Sequence, residues 1–452
     1  MFVMSRWIAI GVALVTSACM PSFALAKEVR AEHIQLADKV QLDTALGQPF
    51  VLAGQRQTTF LKVGLTGFKL SEKERTPVNI AIVLDKSSSM GGAKIVEAKR
   101  AAIMAVNSLD ERDTVSVIAY DSGVRVVWPA TYVTDKDAIA GAISQLQAGG
   151  STALFAGVSK GASELHTYLD GNRVNRIILL SDGQANIGPS SPGELAVLGA
   201  SLAKEGISVT TLGLGLGYNE DLMMQLALAS DGNHAFVENA TELAKIFKYE
   251  FGDVLSVVAQ DVDVHIELDD GIRPVRVLGR DAVIDGNHLT ARLNQLYSGH
   301  QKYLLVEVEV PPTSAGAKRG VARVNIAYNN MATQKKDRLS RRVSLQSTTS
   351  AAQVAKSTNK AVMVSATELL ANRNTKLAIA LRDQGKTQEA AELLRRNVQY
   401  LQEQQKQYRS KRLEKMEMLN VESEKNLQPQ RWNRTRKSLQ DDVFEAETQQ
   451  SY

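Results

Sequence analysis

Hydrophobic and polar positions divide the chain into stretches of different periodicity. Residues 29–70 alternate apolar and polar side chains, as in "VLAGQRQTTFLKVGLTGF", which predicts several short strands. From residue 76, near-continuous apolar runs alternate with segments whose apolar residues recur every three or four positions. The runs are typical of strands buried on both faces, and the recurring spacing is typical of amphipathic helices. This region therefore predicts an α/β unit with a mostly parallel, Rossmann-like sheet and helices on both faces.

Six apolar runs supply the predicted strands of this unit. They are "VNIAIVL" (78–84), "TVSVIAY" (114–120), "VRVVW" (124–128), "RIILL" (176–180), "SVTTLGL" (208–214) and "HAFVE" (234–238). Between the second and third runs, Asp121-Ser122-Gly123 is a tight turn. This turn predicts a hairpin and hence one antiparallel strand at the edge of the sheet.

Strand patterns return after the α/β unit and then give way to helices. One sandwich can be built from the β-rich segments on the two sides of the unit. The helical region has two amphipathic helices broken at Gly385, with Thr387 available to cap the second. It resembles a single tetratricopeptide-type hairpin, which is too short for a solenoid. The last segment is rich in Gln, Asn and charge and predicts a loosely ordered tail.

The predicted organisation has six parts. They are a signal peptide (1–26), a β-rich segment (27–75), the α/β domain (76–255), a β-sandwich domain (256–347), a helical hairpin (351–420) and a polar tail (421–452).

The N-terminus has the pattern of a secretory signal. Arg6 precedes an apolar run from Trp7 to Ala18, which is shorter than the ~20 residues of a membrane span. Ala24-Leu25-Ala26 is a small-x-small cleavage pattern, so we expect a periplasmic or secreted protein without a later transmembrane span. The alternative is a lipoprotein anchored through Cys19, because Thr16-Ser17-Ala18-Cys19 loosely resembles a lipidation box. Cleavage after Ala26 would leave no cysteine and therefore no disulfide.

Overall charge indicates little about partners. The formal net charge is +4 over 452 residues, which is too small to favour nucleic acid or a membrane surface. We therefore expect no nucleic-acid partner.

Three polar clusters follow predicted strands or open a helix at what should be one edge of the sheet. Asp85, Ser87 and Ser89 leave the first strand, Asp182 leaves a later strand, and Thr152 follows Gly149-Gly150. In open parallel sheets, ligands bind beyond the carboxyl ends of the strands. All five side chains offer oxygen, which suits Mg²⁺, Mn²⁺ or Ca²⁺ rather than zinc or copper.

Two carboxylates and three hydroxyls would balance a divalent cation and leave at least one coordination position open. That position favours an anionic oxygen donor, such as an Asp or Glu carboxylate of a protein partner. The alternative is a polar turn in which serine caps the next helix.

These residues resemble the metal-ion-dependent adhesion site of von Willebrand factor A domains. The likeness lies in Asp-x-Ser-x-Ser, then Gly-Gly-x-Thr, then Ser-Asp-Gly, in that order over about residues 76–254. It implies a Rossmann-like domain that binds a divalent cation, often Mg²⁺, and through it a protein ligand. By this likeness the hydroxyls come from Ser87, Ser89 and Thr152, while Asp85 and Asp182 coordinate directly or through water.

A wider likeness extends beyond this motif. The surrounding β segments and "LLSDGQANIGPSS" are similar to secreted bacterial relatives of inter-alpha-trypsin inhibitor heavy chains and calcium-activated chloride channel regulators. Lys86 and Ser88 occupy the variable positions of the motif, and Lys86 would place a cation near the rim of the site.

Four other features have structural interpretations. "GVSKG" (157–161) matches a hydrolase nucleophile motif, but Ser159 lies in a helical pattern. "LGLGLG" (212–217) lacks the spacing of a dinucleotide loop and predicts a strand end with a turn. The six histidines are scattered and predicted to be structural. The basic run "RWNRTRK" (431–437) predicts a solvated face or tail, with anionic lipid or an acidic partner as the alternative.

The functional prediction is a non-enzymatic, metal-dependent protein-binding protein of the bacterial envelope, with a role in adhesion or as a scaffold. Its C-terminal helices offer a second docking surface or a route to self-association. One alternative is a hydrolase that uses the cation as a Lewis acid, although no general base lies beside the site in the sequence. The other is a scaffold whose metal site is stabilising or vestigial.

Overall fold

Three β-sheets and eleven α-helices make up the residues that the structure, a computed structural model, describes, namely 38–70, 75–182 and 184–450. The predicted signal peptide and Cys19 lie outside these residues. Within the same ranges, none of the helices combines the length and the hydropathy that a membrane span requires.

The strands, in chain order, are β1 (Gln41–Leu46), β2 (Phe50–Leu52), β3 (Gln57–Thr66), β4 (Val78–Asp85), β5 (Thr114–Tyr120), β6 (Val124–Tyr132), β7 (Val174–Ser181), β8 (Ile207–Leu214), β9 (His234–Val237), β10 (Val257–Leu268), β11 (Arg273–Leu278), β12 (Val283–Asp285), β13 (His288–Tyr297), β14 (Gln301–Val310), β15 (Lys318–Asn330) and β16 (Lys335–Thr348). The helices are α1 (Ala93–Ser108), α2 (Lys136–Ser144), α3 (Leu154–Leu165), α4 (Pro192–Lys204), α5 (Glu220–Ala229), α6 (Leu243–Leu255), α7 (Ala351–Ser357), α8 (Lys360–Asp383), α9 (Thr387–Tyr408), α10 (Lys411–Lys425) and α11 (Pro429–Thr448).

The α/β domain contains a six-stranded sheet in the order β6-β5-β4-β7-β8-β9. Neighbouring strands are parallel except β5 and β6, which form the predicted antiparallel hairpin at the sheet edge. Successive residues of β4 pack into separate cores on the two faces, with Ile80 and Ile82 on one and Ala81 and Val83 on the other. Burial on both faces explains the continuous apolar runs, and the predicted fold class is confirmed.

The β-rich segments before and after the α/β domain pair with each other. Strands β1 and β3 join β14 and β11 in a four-stranded sheet, and β2 pairs with β16 at the edge of a six-stranded sheet. Residues from both sheets, such as Leu61 and Leu293, share one hydrophobic core. The α/β domain is therefore inserted into a β-sandwich whose strands come from both sides of the insertion.

Helices continue almost to the C-terminus. The expectation of a loosely ordered tail is wrong for the described residues, because α10 and α11 extend the helical region to Thr448. Trp432, Leu439 and Phe444 are buried, and their burial stabilises a helix that is otherwise polar.

The turn between α8 and α9 differs from the prediction in one detail. Gly385 has a φ of +82°, a conformation that glycine adopts readily, and lies just beyond the end of α8. Thr387 does not cap α9, since it is the first helical residue and the cap position belongs to Lys386.

The basic run over 431–437 lies in α11 rather than in a tail, and part of it packs on the α/β domain while Arg431 and Arg434 stay exposed. Arg434 pairs with Glu238 at 2.9 Å, and Arg436 pairs with Asp221 at 2.6 Å. The acidic partner that the basic residues bind is therefore part of the same chain.

Candidate functional site

Hydrogen bonds join four of the five predicted site residues at the carboxyl edge of the central sheet. The backbone N–H of Ser87 donates to Asp85 Oδ1 at 2.8 Å, and the hydroxyl oxygens of Ser87 and Ser89 are 3.1 Å apart. Ser89 Oγ donates to Asp182 Oδ1 at 2.8 Å. These four residues form the edge cluster: Asp85 ends β4, Ser87 and Ser89 follow it, and Asp182 follows β7.

Asp85 is the most deeply buried member of the edge cluster, with an exposure of 0%. Ser181, the last residue of β7, donates its hydroxyl proton to Asp85 Oδ2 at 2.6 Å. Burial raises the pKa of Asp85, while the hydrogen bonds from Ser181 and Ser87 partly oppose that rise. The carboxylate is thus fixed in position and has few water molecules to stabilise its charge.

Lys94, in the first turn of α1, forms an ion pair with Asp182 Oδ2. Asp182 is nearly fully buried, whereas the side chain of Lys94 is about one-third exposed. The ammonium group therefore neutralises the carboxylate of Asp182 from the solvent side. Sequence analysis missed this residue, because its position near the start of a helix does not indicate that its side chain contacts Asp182.

Thr152 joins the same edge through its main chain. Its N–H donates to Asn186 Oδ1 at 2.8 Å, and its carbonyl oxygen accepts from the N–H of Asn186 at 3.1 Å. The loop before it is attached to the first turn, since the N–H of Ser88 donates to the Gly150 carbonyl at 3.0 Å. Asn186, in the segment after Asp182, is a positioning residue that sequence analysis did not single out.

Lys86 is bonded to residues outside the edge cluster. Its ammonium group forms an ion pair with Asp121, in the turn between β5 and β6. The backbone of Lys86 also accepts a hydrogen bond from the N–H of Gly149 at 2.7 Å. Lys86 therefore connects the turn after β4 with the β5–β6 turn and with the loop that contains Gly149.

The donor chemistry of this edge suits a hard divalent cation. Two buried carboxylates and neighbouring hydroxyls are the oxygen ligands that Mg²⁺, Mn²⁺ and Ca²⁺ accept. No three His, Cys, Asp or Glu side chains come together as a metal-binding group in the ranges that the structure describes. A cation at this edge would thus depend on serine and threonine hydroxyls as well as on Asp85 and Asp182.

The hydrolase-like motif, the glycine-containing run and His234 have the structural roles that were predicted for them. Ser159 lies inside α3, so it has no strand-to-helix elbow before it. Gly213 lies near the end of β8, and Gly215 is in the turn that follows. His234 is buried in β9, where its Nδ1 lies 2.8 Å from the hydroxyl of Thr211.

A polar cavity of about 690 Å³ lies away from the predicted site, between the sandwich and the C-terminal helices. Its lining includes Lys62, Glu368, Arg412 and Glu445 and none of the five predicted site residues. We place the candidate function at the edge cluster, where the geometry agrees with the motif.

Comparison with known proteins agrees with this fold. The profile of the von Willebrand factor type A domain matches residues 79–248. The uncharacterized protein sll0103 of Synechocystis is 28% identical over 296 residues, which cover 63% of this chain and 69% of that protein. Human inter-alpha-trypsin inhibitor heavy chain H3 is 25% identical over 174 residues, which cover 37% of this chain and 19% of that protein.

Among solved structures, the von Willebrand factor type A protein from Catenulispora acidiphila aligns with a TM-score of 0.68 and 17% identity. The alignment covers 81% of this chain and 88% of that one. At this identity the likeness concerns the fold. The residues matched by the domain profile include the edge cluster and all six strands of the central sheet apart from Val78, the first residue of β4.

Proposed function

Because residues 79–248 form a von Willebrand factor type A domain, we propose that this chain is a metal-dependent protein-binding protein of the bacterial envelope. Mg²⁺ is the expected cation, with Mn²⁺ or Ca²⁺ as alternatives. Its ligands would be Asp85, Ser87, Ser89, Thr152 and Asp182. An Asp or Glu carboxylate of the partner would complete the coordination shell. The observation that carries the proposal is the hydrogen-bonded edge cluster at the end of the parallel strands.

Each residue of the edge cluster has a part in this proposal. The bound cation would supply the positive charge that attracts the partner's carboxylate. Ser181 and the Ser87 N–H orient Asp85, so that little rearrangement is needed when the cation arrives. Asp182 must exchange its ion pair with Lys94 for the cation. Ser87 and Ser89 already lie within hydrogen-bonding distance of each other and can turn their oxygens to one centre.

The proposal assigns binding rather than catalysis. The described groups that donate to the edge cluster are serine hydroxyls, a backbone N–H and the ammonium group of Lys94. The carboxylates of Asp85 and Asp182 would both serve as metal ligands, so in this proposal neither is free to act as a general base. The envelope location rests on the signal-like sequence of residues 1–26.

Isothermal titration calorimetry with MnCl₂ and MgCl₂ tests the metal site. Asp85→Ala removes a buried ligand and should weaken binding by at least about tenfold, since even outer-shell changes commonly cost that much. Ser88→Ala is the matched control, because Ser88 lies in the same turn but bonds to the Gly150 carbonyl. Equal affinities for wild type and Asp85→Ala, or no binding by wild type at millimolar concentrations, would refute the site.

A crosslinked pull-down from native envelopes tests the partner. Wild type, Asp85→Ala combined with Asp182→Ala, and Ser88→Ala are compared with and without EDTA. A partner retained by wild type and Ser88→Ala, and lost with EDTA or the double variant, would support metal-dependent binding. Turnover of a substrate by the purified protein that EDTA abolishes would instead support the hydrolase alternative.

A further inference from the structure

The loop over residues 215–218, which follows β8, lies next to Asp182 and Lys94 of the predicted metal site. A β-carbon added at Gly217 would lie 3.6 Å from the carbonyl oxygen of Asp182. One added at Gly215 would lie 3.7 Å from Lys94 Cε. Asp182 and Lys94 are the ion pair of the site, so this loop passes close to both of its members, near enough that a side chain at Gly215 or Gly217 would touch them.

The other side of the loop is held by α11, which lies outside the matched domain. Lys437 Nζ donates to the carbonyl oxygen of Tyr218 at 2.7 Å and lies 4.3 Å from the centre of its ring. Asn433 Nδ2 donates to the carbonyl oxygen of Leu216 at 3.2 Å. The main chain of the loop is therefore bonded to a helix more than 200 residues away in the sequence.

Lys437 is well placed to fix this loop. Its side chain is 2% exposed, and its charge is balanced by an ion pair with Glu220 at the start of α5. Glycine at residues 215 and 217 leaves the first part of the loop with few restraints from its own side chains, whereas the buried Tyr218 holds its end. The hydrogen bonds from Lys437 and Asn433 add restraints on the main chain of this loop.

The helix that carries Lys437 is itself firmly attached. Arg436 pairs with Asp221 of α5 at 2.6 Å and with Asp383 of α8 at 2.7 Å. Phe444 is fully buried and belongs to one apolar cluster with Met224 and Ala227 of α5. These contacts make α11 a fixed support against which the loop can be held.

We propose that Lys437 is a positioning residue for the metal site, through which the C-terminal helices control its affinity. By holding Tyr218 and its loop, Lys437 sets where Lys94 and Asp182 lie. This inference rests on the proposed function and adds to it a means of regulation. A partner or modification that displaces α11 would loosen the loop and weaken metal binding.

The variant Lys437→Met tests the proposal in the full chain. Methionine keeps most of the length of the side chain and removes the ammonium group, while Glu220 keeps its second partner, Arg436. We expect amide hydrogen exchange over residues 85–94 and 213–218 to become about threefold faster or more. We also expect Mn²⁺ affinity in calorimetry to fall by about three- to tenfold, the range usual for changes that act through intervening residues.

Lys376→Met is the matched control. It removes a 2.6 Å ion pair between α8 and Glu447 of α11, but Lys376 has no contact with the loop. This control should leave both exchange over residues 85–94 and Mn²⁺ affinity as in wild type. Asn433→Ala should have a smaller effect in the same direction as Lys437→Met, and it replaces that variant if Lys437→Met does not fold.

Different failures have different meanings in this experiment. If Lys437→Met lowers the thermal midpoint but leaves exchange over residues 85–94 and Mn²⁺ affinity like those of Lys376→Met, the lysine is merely structural and the proposal is overturned. If wild type binds no Mn²⁺, the proposed function fails. Exchange over residues 85–94 then decides by itself whether Lys437 positions this edge, and an unchanged rate overturns the proposal.

Discussion

Lys94 places a positive charge beside a carboxylate that the proposed site needs for binding a cation. Its ammonium group pairs with Asp182 Oδ2, and it also lies 3.4 Å from the carbonyl oxygen of Ser89. A divalent cation and this ammonium group would compete for the same carboxylate. Lys94 is therefore expected to set the threshold concentration at which the site fills.

Replacing Lys94 with methionine should tighten metal binding. The change removes the competing charge and keeps the unbranched stem, which lies near Gly215 in the loop after β8. Because Lys94 is partly exposed, we expect a gain in Mn²⁺ affinity of about threefold, measured by calorimetry. Lys99→Met, one turn further along α1 and bonded to the Ser144 carbonyl, is the control. Unchanged or weaker binding by Lys94→Met would contradict competition.

The sequence showed the ligand types of this site but not its whole surroundings. Asp85, Ser87, Ser89 and Asp182 follow strands whose apolar runs are unmistakable, so the rule for parallel sheets brought them to one edge. Lys94 and Asn186 were missed because their contacts depend on the distance between elements, which no local pattern states. Lys86 was expected to place its charge near the rim of the site, and no local pattern showed that this charge is paired with Asp121.

At the scale of elements, α11 shows how composition can mislead. Gln, Asn and charged residues dominate this segment, and these are typical of disordered chains. Its few apolar residues nevertheless recur at helical spacing, as Trp432, Leu439, Val443 and Phe444, and all of them are buried. Periodicity would have given the right answer here, whereas average composition did not.

Truncation of Phe444 measures how much this helix contributes to stability. Phe444→Ala should lower the free energy of unfolding by about 3–5 kcal/mol, as expected for loss of a buried aromatic ring. Met418→Ala in α10 is the control, because Met418 is 65% exposed and should change stability by less than about 0.5 kcal/mol. Urea unfolding followed by circular dichroism compares them. Equal midpoints for the two variants would mean that α11 adds little to the folded state.

At the scale of the whole molecule, buried polar residues join parts that lie far apart in the sequence. Arg176 of β7 is fully buried and donates to Thr210 of β8 at 2.7 Å and to the Tyr297 hydroxyl of β13 at 2.9 Å. It thereby links the central sheet to the sandwich. The position of this arginine within "VNRIILL" does not indicate this role, since its partners in the sandwich belong to a strand about 120 residues later.

His234 lies where β9 meets the C-terminal helix. Its Nε2 is 3.2 Å from the Tyr218 hydroxyl, and its ring packs edge-on against Phe444 with ring centres 5.6 Å apart. Burial, with a smaller contribution from the charge of Lys437, lowers the pKa of His234 to about 3. In the unfolded chain the same imidazole would titrate near 6.5. The folded state therefore favours the neutral form of the His234 imidazole over the protonated form.

This difference in pKa makes the stability of the folded chain depend on pH. Between about pH 6.5 and pH 3 the unfolded chain binds the proton and the folded chain does not, so stability should fall as pH falls through this window. From pH 7 to pH 5 the free energy of unfolding falls by about 2 kcal/mol through His234.

The variant His234→Gln cannot take up this proton. As the pH falls from 7 to 5, its free energy of unfolding should therefore rise relative to that of wild type by the same amount. Urea unfolding of both proteins at the two pH values measures the change, and comparing them cancels the titration of other groups. Parallel pH profiles for wild type and variant would show that His234 becomes protonated without unfolding, and that its contact with α11 does not require a neutral ring.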